Sequence, residues 1–116
     1  TQFRYMYQIS SGTNSGYSCG LAEASSTHMY FTSGCPATNT LHLLKVNKTT
    51  GAIDWQRRIS PTNNSGVTSV CNPVVDSSGN VYVAWTQYDT NNIVDTPSRL
   101  NWAMYNSSGT LQTIAG

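Results

Sequence analysis

The segment from Cys19, Cys-Gly-Leu-Ala-Glu-Ala-Ser-Ser-Thr-His-Met-Tyr-Phe, returns in register as Cys71-Asn-Pro-Val-Val-Asp-Ser-Ser-Gly-Asn-Val-Tyr-Val, at an offset of 52 residues. Cys, Ser-Ser and Tyr recur in place. A repeat of this period is the signature of small supersecondary units that cannot bury their apolar faces alone and stack on a neighbour to do so. The architecture is bounded by this before any single motif is considered.

Alternation of apolar and polar residues runs through much of the chain, and no stretch carries a 3.6-residue period over a helix length, so the reading is all-β. In the second copy Val74 to Asp76 is a short strand, Ser77-Ser78-Gly79-Asn80 a turn, and Val81 to Thr86 the next strand. Leu100 to Tyr105 and Thr110 to Ile114 follow as a third and fourth strand, joined by Asn106-Ser107-Ser108-Gly109. The first copy has the same plan: Leu21 to Ala24, Met29 to Thr32, Leu41 to Val46 and Ala52 to Ile59, with Asn47-Lys48-Thr49-Thr50-Gly51 as the last turn. Upstream, Phe3 to Ile9 matches the end of that last strand, since Ile9-Ser10 aligns with Ile59-Ser60 and Asn14-Ser15-Gly16 with Asn64-Ser65-Gly66. The chain reads as one domain over 1–116, with an extra strand and linker over 1–18, one four-stranded antiparallel sheet over 19–60 and a second over 61–116.

Four antiparallel strands joined by tight Gly-containing turns is the plan of a propeller blade. Val75-Asp76-Ser77-Ser78-Gly79-Asn80-Val81-Tyr82-Val83 resembles the bacterial β-propeller repeat, in which an Asp-x-x-Gly-Asn-x-Tyr-Val hairpin recurs in each blade. Leu44 to Trp55, with Gly51 in its turn, is similar to the strand, Gly turn and Trp of that repeat and of quinoprotein-type propellers. The resemblance implies two propeller-like blades and leaves the activity open, because one fold hosts many functions. The first copy departs from it at Thr27-His28, where the second has Gly79-Asn80.

In each copy neighbouring strand residues are apolar on both sides: Val81, Val83 and Trp85 oppose Tyr82 and Ala84, and Leu41 and Leu43 oppose Leu44 and Val46. Both faces of a sheet are therefore built for burial, whereas two sheets alone leave two outer faces in water. At roughly 25 cal/mol per Å², a few hundred Å² left exposed forgoes several kcal/mol, comparable with the stability of a small domain. Self-association, or excision from a longer chain, is the expectation. The spare strand, with Phe3, Tyr5, Tyr7 and Ile9 on one side, either completes a sheet in a neighbouring copy or folds back on its own. Head-to-tail pairing of that kind closes a ring or runs on as a filament.

Charged residues are only 9% of the chain and the formal net charge is +1, too sparse for a phosphate-binding surface, so nucleic acid is excluded as a partner. Ser, Thr and Asn supply the solubility. No apolar run approaches the roughly 20 residues of a membrane span, and a start at Thr1 without a signal-peptide core reads as a processed or excised end. A turn at Ser25–His28 puts Cys19 opposite Gly34, and shortening it to Ser26–His28 puts Cys19 opposite Cys35. A disulfide between Cys19 and Cys35 is thus expected, with an extracellular or secreted location. Cys71 has Gln87 where Cys35 would recur; it is either buried or paired between molecules.

An enzyme needs convergent titratable groups, and two histidines with five acids are scattered here. His28 and His42 read as structural, and the spacings of a zinc site are missing. No metal or cofactor is expected. Asp89, Asn91 and Asp95 in the longest loop offer oxygen ligands but lack the Gly and Glu of the helix-loop-helix calcium motif. Asp76 with Asn80 reads as a turn-former. Tyr17, Tyr88 and Trp102 would stack on sugars if exposed, though Trp102 at a strand position reads as core. Asn47, Asn63 and Asn106 each begin an Asn-x-Ser/Thr glycosylation pattern. The functional expectation is a non-enzymatic extracellular structural or adhesive repeat protein that forms a homo-oligomer or polymer. A carbohydrate-binding propeller lectin and a fragment of a larger propeller enzyme are the alternatives.

Overall fold

The computed structural model describes residues 18–35, 40–59, 65–89 and 99–115. They form two antiparallel sheets and no helix. In the first, β1 (Ser18–Glu23), β2 (His28–Cys35), β3 (Thr40–Asn47) and β4 (Ile53–Ile59) lie side by side in chain order. The second runs β5 (Ser65–Val70), β7 (Val81–Asp89), β8 (Arg99–Tyr105) and β9 (Leu111–Ala115), with β6 (Val74–Val75) also pairing to β7. β5 and β6 are two lengths of one strand position: Cys71 N donates to the Ala84 carbonyl at 3.0 Å between them, and Pro73, which has no N–H to offer, interrupts the ladder. The pattern of the sequence predicts eight of these strands and misses β5, because Ser65-Gly66-Val67-Thr68-Ser69 is polar and small and carries little hydrophobic alternation.

Turn chemistry explains why the copies share a shape. Asp76 accepts at Oδ1 from the backbone of Ser78 and Asn80, and Asp76 N donates to the Asn80 carbonyl at 3.0 Å. In the first copy Ala24 N donates to the His28 carbonyl at 3.0 Å, and the Ser25 hydroxyl accepts from Thr27 N and His28 N. A serine one position later thus does the work of the aspartate, so the missing Gly-Asn pair does not alter the closure. The later turns match too: Asn47 Oδ1 accepts from Thr49 N and Thr50 N, Asn106 Oδ1 from Ser108 N and Thr110 N, and Gly51 and Gly109 follow at positive φ of 71° and 79°. Only glycine adopts that conformation without strain.

The registers superimpose position by position. Ala22, Tyr30, Lys45 and Trp55 form one cross-strand row in the first sheet, and Val74, Tyr82, Met104 and Thr113 form the equivalent row in the second. Each sheet shifts register at the same place, between Lys45 and Val46 and between Met104 and Tyr105. The sheets pack through Tyr30, Leu41, Leu43 and Ile59 on one side and Val70, Val81, Val83, Trp85, Ala103 and Tyr105 on the other, all buried. Side chains alternate along a strand, so Val81 and Val83 lie on the opposite face from Tyr82. Tyr82 is the equivalent of Tyr30. The face that the first sheet turns inward is therefore the one that the second turns outward, and the contact is heterologous, not two-fold.

The register of the first hairpin departs from the pairing expected from the sequence. The hairpin closes at Glu23 opposite Met29 and sets Cys19 opposite Ser33, so Cys35 lies two positions beyond it and faces Thr40 on β3. Such a diagonal spans about 7–8 Å in antiparallel sheets, longer than a disulfide bridges without backbone movement. The turn holds five residues because the Ser25 hydroxyl organises it, one or two more than the alternation suggests. Phe3, Tyr5, Tyr7 and Ile9 of the spare strand, together with Tyr17, Asn63, Asn91 and Asp95, lie outside the described residues.

Candidate functional site

The features with functional content are the faces of the sheets. Where β4 meets the β8–β9 turn, three side chains of the first sheet hold the backbone of the second. Trp55 Nε1 and Lys45 Nζ both donate to the Ser107 carbonyl, at 3.1 and 3.0 Å, and Arg57 Nε donates to the Gly109 carbonyl at 2.6 Å. The Arg57 guanidinium lies 5.3 Å from the centre of the Trp55 ring, and that ring packs against Tyr30 and Tyr105 at 5.5 and 6.5 Å. A cation over an indole and hydrogen bonds to carbonyls fix the sliding position of one sheet on the other. At the far edge the Thr32 hydroxyl donates to the Cys71 carbonyl at 3.3 Å. Gly20 lets this approach happen, since a Cβ there would lie 2.7 Å from Asn72 Cα.

No protein-family model, curated protein or solved structure matches this chain. The geometry of its own surfaces carries the functional reading.

The outward face of the second sheet is apolar and uncovered. Val74 is 63% exposed, Leu100 62% and Trp102 38%, with half-buried Tyr82, Ala84 and Met104 between them. Trp102, expected in the core, is instead at this surface, its ring 6.4 Å from that of Tyr82. The Tyr82 hydroxyl donates to Asp76 Oδ2 at 3.2 Å, and Asn80 Nδ2 donates to the same oxygen at 2.8 Å. These bonds, above all those from Asn80, hold the Asp76 carboxyl below its usual pKa. The aspartate organises the turn, as the sequence suggests. On the first sheet, the face turned away from the second carries Met29, Phe31, Leu44 and Val46, of which Leu44 and Val46 are buried, with Leu21 and Ile53 exposed at its rims.

An open cleft of about 170 Å³ lies where the hairpin ends of the two sheets meet, between Ser25, His28, Tyr30 and Lys45 on one side and Gly79 and Ser107 on the other. Two of its polar side chains are engaged within the protein: Lys45 on Ser107, and His28 Nε2 on Asp54 Oδ2 at 2.9 Å. His28 Nδ1 lies 2.7 Å from Thr27 Oγ1. His42 is buried, with Nε2 3.3 Å from Thr40 Oγ1 and Nδ1 3.1 Å from Gln56 Nε2. Burial, helped by Arg58 opposite, lowers its pKa. Among the described residues no three His, Cys, Asp or Glu side chains converge as metal ligands.

Cys71 is exposed and its thiol free, which removes the buried alternative. Asn47 and Asn106 occupy equivalent turns, but their surroundings differ, because the turn at Asn106 is the one held by Trp55 and Arg57. The sequence reading misses this clamp of Lys45, Trp55 and Arg57. Its signal was present: in a hairpin closed by Asn47–Gly51, Trp55 and Arg57 fall on one face, and Lys45 falls beside them.

Proposed function

We propose that this chain is a non-enzymatic structural or adhesive repeat protein of the extracellular space, built from propeller-type blades, that self-assembles into a ring or filament. The observation that carries the reading is the uncovered face of Val74, Tyr82, Leu100, Trp102 and Met104. Contiguous apolar surface of this kind on a small protein marks an interaction site. The heterologous packing of the two sheets supports it, because such a contact does not close after two units. The spare strand Phe3 to Ile9 adds a second joint by pairing with a sheet in a neighbour. Light scattering on the purified chain tests the proposal: particles several times the 12.6 kDa protomer are expected, and a monomer at all concentrations refutes it. Deleting Phe3 to Ile9 shrinks those particles if the strand is donated.

A second reading, carbohydrate binding, draws support from the exposed Trp102 ring beside Tyr82, since an amphipathic ring at a wet surface is a platform for stacking. Binding on a glycan array that is lost in Trp102→Ala would establish it, and no binding at high protein concentration would remove it.

A further inference from the structure

The two sheets differ at their edges, and one edge stands open to another strand. We infer that β9 pairs edge to edge with the β9 of a second copy, antiparallel about a two-fold axis, so that the second sheets of both copies run on as one. This rests on the assembly reading and adds a joint to it.

A strand at the rim of a sheet turns the N–H and C=O of every second residue outward, ready for another chain. Proteins guard such rims with charge, proline or a break in the strand. Among the described residues the two sheets have four rims: β1 and β4 in the first, β9 and the β5–β6 position in the second. Asp54, Arg57 and Arg58 stand on β4, and β1 carries Gly20 and ends in Glu23. Pro73 breaks the rim between β5 and β6. β9, Leu111-Gln112-Thr113-Ile114-Ala115, has no charge, no proline and no glycine, and every residue of it is exposed. Leu111 and Ile114 add bare apolar surface at 46% and 57% exposure.

The same neutrality selects a second copy as the occupant. A rim paired with its own copy sets identical side chains close together, and like charges placed so repel; β9 has none to repel. The other rims of a neighbouring copy are guarded, so the rim that fits β9 is β9. The strand is also set in place before it pairs. Just ahead of it Arg57 Nε donates to the Gly109 carbonyl at 2.6 Å, and Asn106 Oδ1 accepts from Thr110 N at 2.9 Å, so little ordering is left to lose on binding. Rotation about an axis normal to the sheet keeps like faces on one side. Thr113 and Ala115, opposite Met104 and Trp102, then carry the apolar face of Tyr82 and Trp102 across the joint into that of the second copy.

Charge complementation tests the joint. Gln112→Lys with Ile114→Lys makes β9 positive, and Gln112→Glu with Ile114→Glu makes it negative; both side chains are exposed, so the fold tolerates either. Two positions are changed because one or the other meets its copy wherever the axis falls on the strand. Masses are measured by light scattering at low salt, in reducing buffer that keeps the exposed Cys71 from linking chains, and circular dichroism checks the fold. Each charged form alone should give particles of half the unmodified mass or less. Their equimolar mixture should restore the unmodified mass, since lysine then faces glutamate across the joint. Unmodified mass in either charged form alone means that β9 takes no second copy; it overturns the inference and leaves assembly through the apolar face intact. A loss of mass that the mixture does not restore sets β9 against some other surface and overturns the inference as well. An unmodified chain that is monomeric throughout overturns the assembly reading, and the joint with it.

Discussion

Replacing Gly109 by Ala probes the contact between the sheets, with Gly79→Ala as its control. Both glycines hold positive φ, 79° and 82°, so an added Cβ costs about 1–2 kcal/mol of left-handed strain at either site. Narrowing of the unfolded ensemble offsets part of that cost equally in both. The surroundings differ. At Gly79 the nearest atom to the new methyl is Ser107 Cβ at 3.5 Å, an ordinary contact; at Gly109 it is Trp55 Cδ2 at 2.7 Å, followed by Arg57 Nη2 at 2.9 Å. Trp55 has little room to withdraw, because its Nε1 is tied to the Ser107 carbonyl and its ring lies between Tyr30 and Tyr105. Overpacking of this sort costs about 1–3 kcal/mol. Gly109→Ala should therefore be about 1–3 kcal/mol less stable than Gly79→Ala, the shared strain cancelling. Urea titrations followed by circular dichroism read this as a midpoint lower by about 1 M at a typical slope. Equal midpoints would refute the packing of the β8–β9 turn on Trp55.

Three further outcomes follow from single residues. The lowered pKa of His42 means that the unfolded chain binds the proton more readily, so the stability His42 contributes is present above the ordinary histidine value of 6.5 and is lost as pH falls through its folded value. His42→Gln should flatten that part of the stability profile, and an imidazole NMR titration midpoint at or above 6.5 would contradict it. Asp76→Asn should lower the urea midpoint and remove the stability that the folded protein loses as pH falls below the ordinary carboxyl value of 3.8, since Oδ1 and Oδ2 accept from four groups; an unchanged acid profile would argue against it. Cys71, exposed and free, should react with a thiol reagent in the native protein without prior unfolding, and Cys71→Ser should abolish that phase.

Eight strands were legible because runs such as Leu-x-Leu and Val-x-Val-x-Trp alternate where one face meets another sheet. β5 was not, because what places it is the ladder it makes with β7, and a chain of Ser, Gly and Thr carries no periodic record of its partner. The hairpin register at Cys19 was missed for a related reason: Ser25 widens the turn through its hydroxyl, and hydrophobic alternation does not distinguish a three-residue from a five-residue closure. Trp102 was placed in the core on strand position alone. Its neighbours Tyr82 and Met104 are apolar as well, and the second sheet has two apolar faces of which the described structure covers one; a pattern of residues says that a face is built for burial, not that its partner is present in the same chain.

The clamp shows how the two ends of the repeat differ. On the first sheet Lys45, Trp55 and Arg57 hold two carbonyls of the following turn; at the equivalent positions on the outer face of the second sheet stand Met104, Thr113 and Ala115. None of these can donate as the originals do, apart from the short hydroxyl of Thr113. The outer face thus keeps the apolar half of the internal interface and lacks its polar half. Three charge-assisted or indole hydrogen bonds, each worth about 0.5–3 kcal/mol net, are what the internal contact has and the outer face lacks. Apolar burial is non-directional, so a face without the clamp is free to form and release its contact as concentration changes. On the assembly proposed above, the same repeat, stripped of three donors in its second copy, would associate reversibly at its outer end while its own two sheets stay locked.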